Sequence, residues 1–188
     1  MPDALQDEDT LRLVRAAQAG NADALDELLV RLQPLVLHRC ARFLPYRSDA
    51  EEAAQDALLA ISRKLGSYRG TGSFRGWVTV VASNSARATY RSLKRRTEVP
   101  LATRAERPDP RTTSVIAGTR LDLLEAVEEL GRRYPVLVDA FVLRDVGELS
   151  YEEVGAALDL PVTTVKDRIH RARTFVRARL EVRPATFS

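Results

Sequence analysis

Ser150-Tyr151-Glu152-Glu153-Val154-Gly155-Ala156-Ala157-Leu158-Asp159-Leu160-Pro161-Val162-Thr163-Thr164-Val165-Lys166-Asp167-Arg168-Ile169-His170-Arg171-Ala172-Arg173 decides how this chain folds. Ser150 and Glu153 form a capping box, each able to satisfy an orphan backbone donor of the other, so a short helix opens here and turns Val154, Ala157 and Leu158 inward. Asp159-Leu160-Pro161 breaks it, because proline lacks the amide proton that a continuing helix needs. A second helix starts at 161–163 and runs to about Glu181, with Val165, Ile169, Ala172 and Val176 recurring on one stripe. A short capped helix, a tight turn and a longer basic helix with a polar first turn have the anatomy of a helix-turn-helix. In that motif the second helix enters the major groove and meets base edges with its first residues. The outward positions there are Thr164, Lys166, Asp167, Arg168, His170 and Arg171, with Thr163 beside them. Helix pairs joined by such a turn also serve as plain packing units, so the motif does not settle the function alone.

Toward the N-terminus, Val136, Leu137, Ala140, Phe141 and Leu143 outline a helix beginning near Pro135, and Leu123, Leu124, Val127 and Leu130 outline another. Between Thr97 and Gly118 the periodicity disappears, and Pro100, Pro108 and Pro110 lack backbone donors, which marks a linker. Before it, Asn21 caps a helix whose Leu25, Leu28, Leu29, Leu32, Leu35, Val36 and Cys40 share one face. A second capping box, Ser48 with Glu51, opens a helix to about Leu65, with Ala54, Ala57, Leu58 and Ile61 inward. Gly66, Gly70, Gly72 and Gly76 punctuate the next stretch and make 66–73 a loop; Ser73 caps a helix from Phe74 to about Arg96. Its expected inner positions are Trp77, Val78, Val81, Ala82, Ser85 and Ala88. The fold class is all-α: two small helical domains, 1–97 and 118–188, joined by a flexible linker over 98–117, the second carrying the helix-turn-helix.

Of the 188 residues 45% are hydrophobic and 29% charged, a globular composition. With 29 Lys plus Arg against 26 Asp plus Glu the net charge is only +3, so affinity for nucleic acid has to come from local clusters. Two exist. Arg87, Arg91, Lys94, Arg95 and Arg96 end one helix with no acid among them, and Lys166, Arg168, Arg171, Arg173, Arg177, Arg179 and Arg183 line the last one. Each run alone is an ordinary solvated face; the pair in separate halves points to phosphate. Cys40 as the one cysteine excludes an intramolecular disulfide and reads as a core thiol. With His38 and His170 the only histidines, neither a metal site nor a cofactor is expected. The longest charge-free stretch, Gly76 to Ala86, is about half of a membrane span, and the acidic N-terminus is no signal peptide, so no membrane insertion and a cytoplasmic location are expected.

Together these segments resemble a bacterial sigma factor of the extracytoplasmic-function group, the smallest members of the sigma-seventy family, from about Thr10 to Leu180. The carriers are Asp49-Ala50-Glu51-Glu52 with Gln55-Asp56, Tyr68-Arg69-Gly70 with Ser73-Phe74-Arg75-Gly76-Trp77, Leu149-Ser150-Tyr151-Glu152-Glu153-Val154, and Pro161-Val162-Thr163-Thr164-Val165-Lys166-Asp167-Arg168. The resemblance implies a first domain, region 2, that binds the beta-prime clamp of RNA polymerase core and recognises and melts the minus-ten promoter element. It implies a second domain, region 4, that meets the beta flap and reads the minus-thirty-five element. An anti-sigma factor would be a further partner. Residue by residue, Asp49, Glu51, Glu52, Gln55 and Asp56 fall in the polymerase-binding stretch, although a helix dipole would by itself favour Asp49, Glu51 and Glu52. Ser67, Tyr68, Arg69, Gly70, Thr71, Gly72 and Ser73 fall in the loop that holds a flipped base, with Asn84, Arg87, Arg91, Lys94 and Arg95 on the DNA side of the following helix. Trp77 is read as core rather than as a wedge between bases. Leu58, Val80, Gly131, Thr163 and Asp167 depart from residues common in the family. Asp167 either accepts from a cytosine amino group or orients Arg171 four residues on, and the second is favoured.

Three other functions compete. A standalone helix-turn-helix regulator would need neither the 49–56 surface nor a glycine loop before a basic helix. A decoy for an anti-sigma factor would lack the basic faces. An enzyme would need a phosphate-binding glycine motif, a metal constellation or a histidine-paired nucleophile, and none is found.

Overall fold

A computed structural model describes residues 7–70, 72–97 and 114–181, and among them every regular element is helical. They form two compact units, one on each side of 98–113. In the first, α1 (Glu8–Gln18), α2 (Ala22–Phe43), α3 (Arg47–Lys64) and α4 (Phe74–Thr97) pack together, with a 3-10 turn at Leu65–Ser67. Asp7 accepts from the Thr10 amide at 2.7 Å and Asn21 from that of Ala24 at 2.9 Å, so α1 and α2 both start on side-chain caps. The hydrogen bonds from Thr10 also hold the exposed Asp7 carboxyl below its usual range.

Leu28, Leu32, Val36 and Cys40 of α2 are fully buried, as the spacing predicts, and α2 continues through Pro34 without interruption. Ala50, Ala53, Ala54, Ala57 and Ile61 face them from α3; so many small side chains on one stripe let neighbouring helices come close. Burial pushes the Cys40 thiol up to about 12, which keeps it protonated and supports its reading as core.

Three sequence expectations are corrected here. The Ser48–Glu51 capping box does not open α3: the cap falls on Tyr46 without a side-chain capping bond, the helix starts at Arg47, and Glu51 pairs with Arg47 at 2.7 Å. On α4 Ala88 is exposed, and the buried face runs through Phe74, Val78, Ala82, Ala86 and Tyr90 and includes Thr79, Ser83 and Thr89. Short hydroxyl residues on the inner face rotated the apparent apolar stripe. In the second unit Ala157 is likewise exposed, and Gly155 occupies the buried position in its place.

The second unit comprises α5 (Ser114–Arg133), α6 (Pro135–Phe141) running into a π turn at Val142–Val146, α7 (Tyr151–Leu158) and α8 (Val162–Glu181). Because α5 begins at Ser114, the last four residues of the expected linker are helical; 98–113 lies outside the described residues. Val136, in the outline of α6, is 60% exposed. The Ser150–Glu153 box forms in both directions, at 3.0 and 2.8 Å. Val165, Ile169, Ala172 and Val176 are all buried, as their spacing predicts.

Gly155 makes the tight turn between α7 and α8 possible. A Cβ there would lie 2.8 Å from the Leu160 carbonyl oxygen, while the Leu160 amide donates to the Gly155 carbonyl at 2.9 Å and Asp159 takes a left-handed φ of 54°. Gly155→Ala is therefore expected to destabilise the second unit by about 1–3 kcal/mol, because backbone rather than a flexible side chain has to yield. Denaturant titration of the full chain tests this, and an unchanged midpoint would show that the turn relaxes at no cost.

Candidate nucleic-acid interface

Three surfaces collect the residues singled out by sequence. The first is α3. Glu52, Gln55 and Asp56 are exposed and lie at helical spacing on one stripe, with Leu59, 53% exposed, one turn further on and Arg63 at its end. Asp49 is not on this face: it is only 2% exposed and lies on the packed side of α3. Glu51 is half-buried beside the stripe and held by Arg47. Leu59 was not found by sequence reasoning, because in an alternating polar and apolar helix nothing distinguishes an outward leucine from an inward one.

The second surface is the loop after α3 with the outer side of α4. Tyr68 is half-buried. Its ring meets Phe74 edge-on at 5.1 Å and lies 5.9 Å from Trp77, and its hydroxyl donates to the Gly72 carbonyl at 3.2 Å. Burial raises the pKa of that hydroxyl. Gly70 and Gly72 have φ of 73° and 81°, which side chains rarely adopt, so glycine is required to close the loop this way. Ser67 donates to the Lys64 carbonyl, and Ser73 caps α4 by accepting from the Gly76 amide at 2.9 Å. Arg69 is exposed; Thr71 lies outside the described residues. Trp77 is half-buried and stacks on Phe74 at 5.9 Å, which supports a packing role. Beyond it Asn84, Arg91 and Arg95 are exposed at helical spacing, with Arg87 and Lys94 half-buried at their flank.

Beside this loop is a cavity of about 440 Å³. One wall is the loop and the start of α4; the other is Leu11, Val14, Arg15 and Gln18 of α1. Gln18 donates to the Leu65 carbonyl at 2.9 Å and to the Tyr68 carbonyl at 2.8 Å. Sequence reasoning did not involve α1 at all, since a contact between residues about fifty positions apart leaves no local pattern.

The third surface is the start of α8. Thr163, Lys166, Asp167, His170 and Arg171 are exposed, and Thr164 and Arg168 are half-buried. Asp167 lies 3.7 Å from Arg171, one turn on along α8, with both side chains exposed. The Lys166 ammonium sits 5.5 Å from the centre of the Tyr151 ring, which Arg144 also covers at 4.7 Å. Farther along α8 two of the exposed arginines are paired. Arg173 grips Asp145 through two bonds, of 2.8 and 2.5 Å, which raises its already high pKa, and Arg179 pairs with Glu129 at 2.6 Å. Those two arginines are engaged in ion pairs within their own unit, whereas Lys166 and Arg171 at the start of α8 are exposed.

Comparison with known proteins supplies further findings. Residues 28–96 match the family described as Sigma-70 region 2, and residues 120–176 that described as Sigma-70, region 4. The ECF RNA polymerase sigma-E factor of Escherichia coli K12 is 30% identical over 181 residues, covering 86% of this chain and 88% of its own. The RNA polymerase sigma-H factor of Pseudomonas aeruginosa is 29% identical over 178 residues, covering 90% and 92%. Among solved structures, CnrH in complex with the cytosolic domain of CnrY aligns over 94% of this chain and all of its own. Its TM-score is 0.57 and its identity 23%, a likeness of fold.

Proposed function

This chain belongs to the sigma-70 family, as an extracytoplasmic-function sigma factor that directs promoter-specific initiation by RNA polymerase, and on that premise we propose how its surfaces divide the work. The observation that carries the reading is the order of surfaces along one chain: an acidic helical stripe, then a glycine loop opening a basic helix, then a helix-turn-helix. No other of the competing functions needs all three.

The α3 stripe, Glu52, Gln55 and Asp56 around Leu59, docks on the beta-prime clamp. Its carboxylates meet a basic helix and Leu59 supplies the apolar centre that protein interfaces favour. The 67–73 loop accepts an unstacked base of the minus-ten element once the strands part, with Asn84, Arg91 and Arg95 tracking the strand's phosphates. The start of α8 reads the minus-thirty-five element in the major groove. Arg168 and Arg171 offer guanidinium donors to guanine edges, and Asp167 aims Arg171. The beta flap meets the second unit, and an anti-sigma factor is the controlling partner. The factor catalyses no reaction of its own and acts in the cytoplasm, where its polymerase is; no described helix is long and apolar enough to cross a membrane.

Run-off transcription with purified polymerase core tests the reading. Added factor is expected to produce a discrete transcript from its promoter, and core alone none. Free factor is expected to bind the same duplex poorly, because only core holds two linked domains at the spacing of the two elements. Tight, sequence-specific binding by the free protein would favour the standalone regulator.

A further inference from the structure

We infer that α1 is a working part of the base-reading pocket, with Gln18 as the positioning residue that presets its loop; the inference rests on the assignment of the 67–73 loop to an unstacked base. The loop's two glycines take positive φ, which permits its shape but does not enforce it, since glycine samples many conformations. Tyr68 closes the loop onto itself through its hydroxyl bond to the Gly72 carbonyl and its packing on Phe74. Gln18 ties that closed loop to a second element. Both hydrogens of one carboxamide nitrogen are used, one on each of two backbone carbonyls that bracket the 3-10 turn.

The tether comes from a rigid place. Gln18 is the last residue of α1, and Gly20, with φ 94°, turns the chain directly into α2, so its position is set by two packed helices. The same stretch of α1 forms a wall of the cavity. Leu11 and Val14 give an apolar surface suited to a base plane, and Arg15 of α1 and Arg69 of the loop, both exposed, add positive charge to the lining. At about 440 Å³ the cavity falls within the roughly 300–1,000 Å³ of small-ligand sites. A loop held in its receiving shape before DNA arrives does not lose affinity to a minority competent state.

The test uses full-length factor with polymerase core and single-stranded oligonucleotides randomised in the minus-ten element. Gln18→Glu keeps the size of the side chain but replaces a donor by a carboxylate that repels both carbonyls; Gln18→Lys keeps donors at similar reach. If the competent fraction of the loop falls to about a tenth, Gln18→Glu weakens binding of the preferred base about tenfold, and preference over bases held only outside the loop falls by the same factor. Gln18→Lys is expected to retain most of both. Core affinity, thermal midpoint and minus-thirty-five preference are expected to be unchanged in both. Undiminished discrimination in Gln18→Glu, an equal loss in Gln18→Lys, or a loss that follows a lowered thermal midpoint overturns the inference and leaves the loop's role standing. A wild-type factor with no base preference in these oligonucleotides overturns the loop assignment and this inference together.

Discussion

Lysine at both Glu52 and Asp56 is expected to weaken binding to polymerase core by about 2 kcal/mol or more, roughly thirtyfold, while helix content stays as in the wild type. Both side chains are exposed on α3, and among the described residues neither makes an ion pair, so their reversal breaks nothing inside the domain. Reversal converts attraction to a basic partner helix into repulsion, which costs more than removal of the charges. Glu52 stands well into an eighteen-residue helix, so its loss to the helix dipole is a few tenths of a kcal/mol at most, or about 0.3. Competition against a labelled sigma factor for core measures the effect. Because exposed charges are screened, wild-type affinity should fall with salt while the variant's depends on it less. Leu59→Ala is expected to weaken the same complex without altering its salt dependence. Core affinity that is unchanged in the double reversal would remove the clamp assignment from α3, whatever the second domain does.

The contrast between Asp49 and Leu59 shows what a sequence can reveal of such a face. The Asp49 to Asp56 stretch is legible as acidic, but which of its carboxylates face water is set by the packed stripe: Asp49 lies one turn before Ala53 and two before Ala57, both buried, whereas Glu52 and Asp56 fall outside it and are exposed. On α4 the same ambiguity has a different cause. Thr79, Ser83 and Thr89 are buried, so a stripe chosen by hydrophobicity alone leaves out part of the core face and takes in Ala88. The helix-turn-helix was legible almost residue by residue, because its signals are local: the capping box at Ser150, the break before Pro161 and an unbroken apolar stripe on α8. The pocket wall supplied by Arg15 and Gln18 was not, since it exists only once α1 is packed against the loop.

The two DNA-reading surfaces should separate cleanly when each is changed alone. Arg168 lies in the second turn of α8, half-buried, in a unit held together without it: the buried Val165, Ile169, Ala172 and Val176 anchor α8. Arg168→Ala is therefore expected to leave stability nearly intact and to impair closed-complex formation by about 1–3 kcal/mol if its guanidinium bridges a guanine edge. It should also relax preference at one base pair of the minus-thirty-five element. The 67–73 loop meets its base only after strand separation, so exchanging it for a related factor's loop should change the preferred base in the minus-ten element and leave the upstream preference alone. Transcription over two promoter libraries, one randomised in each element, separates these effects, and permanganate footprinting reports the melted strand. Arg171 supplies an internal comparison. Removing Asp167, 3.7 Å away, should weaken the contact of Arg171 if the acid orients it, whereas a direct contact of Asp167 to cytosine would instead alter preference at a different base pair. A loop exchange that shifts upstream preference, or an Arg168 substitution that alters only melting, would show that the two units do not divide promoter reading in this way, even within the same family.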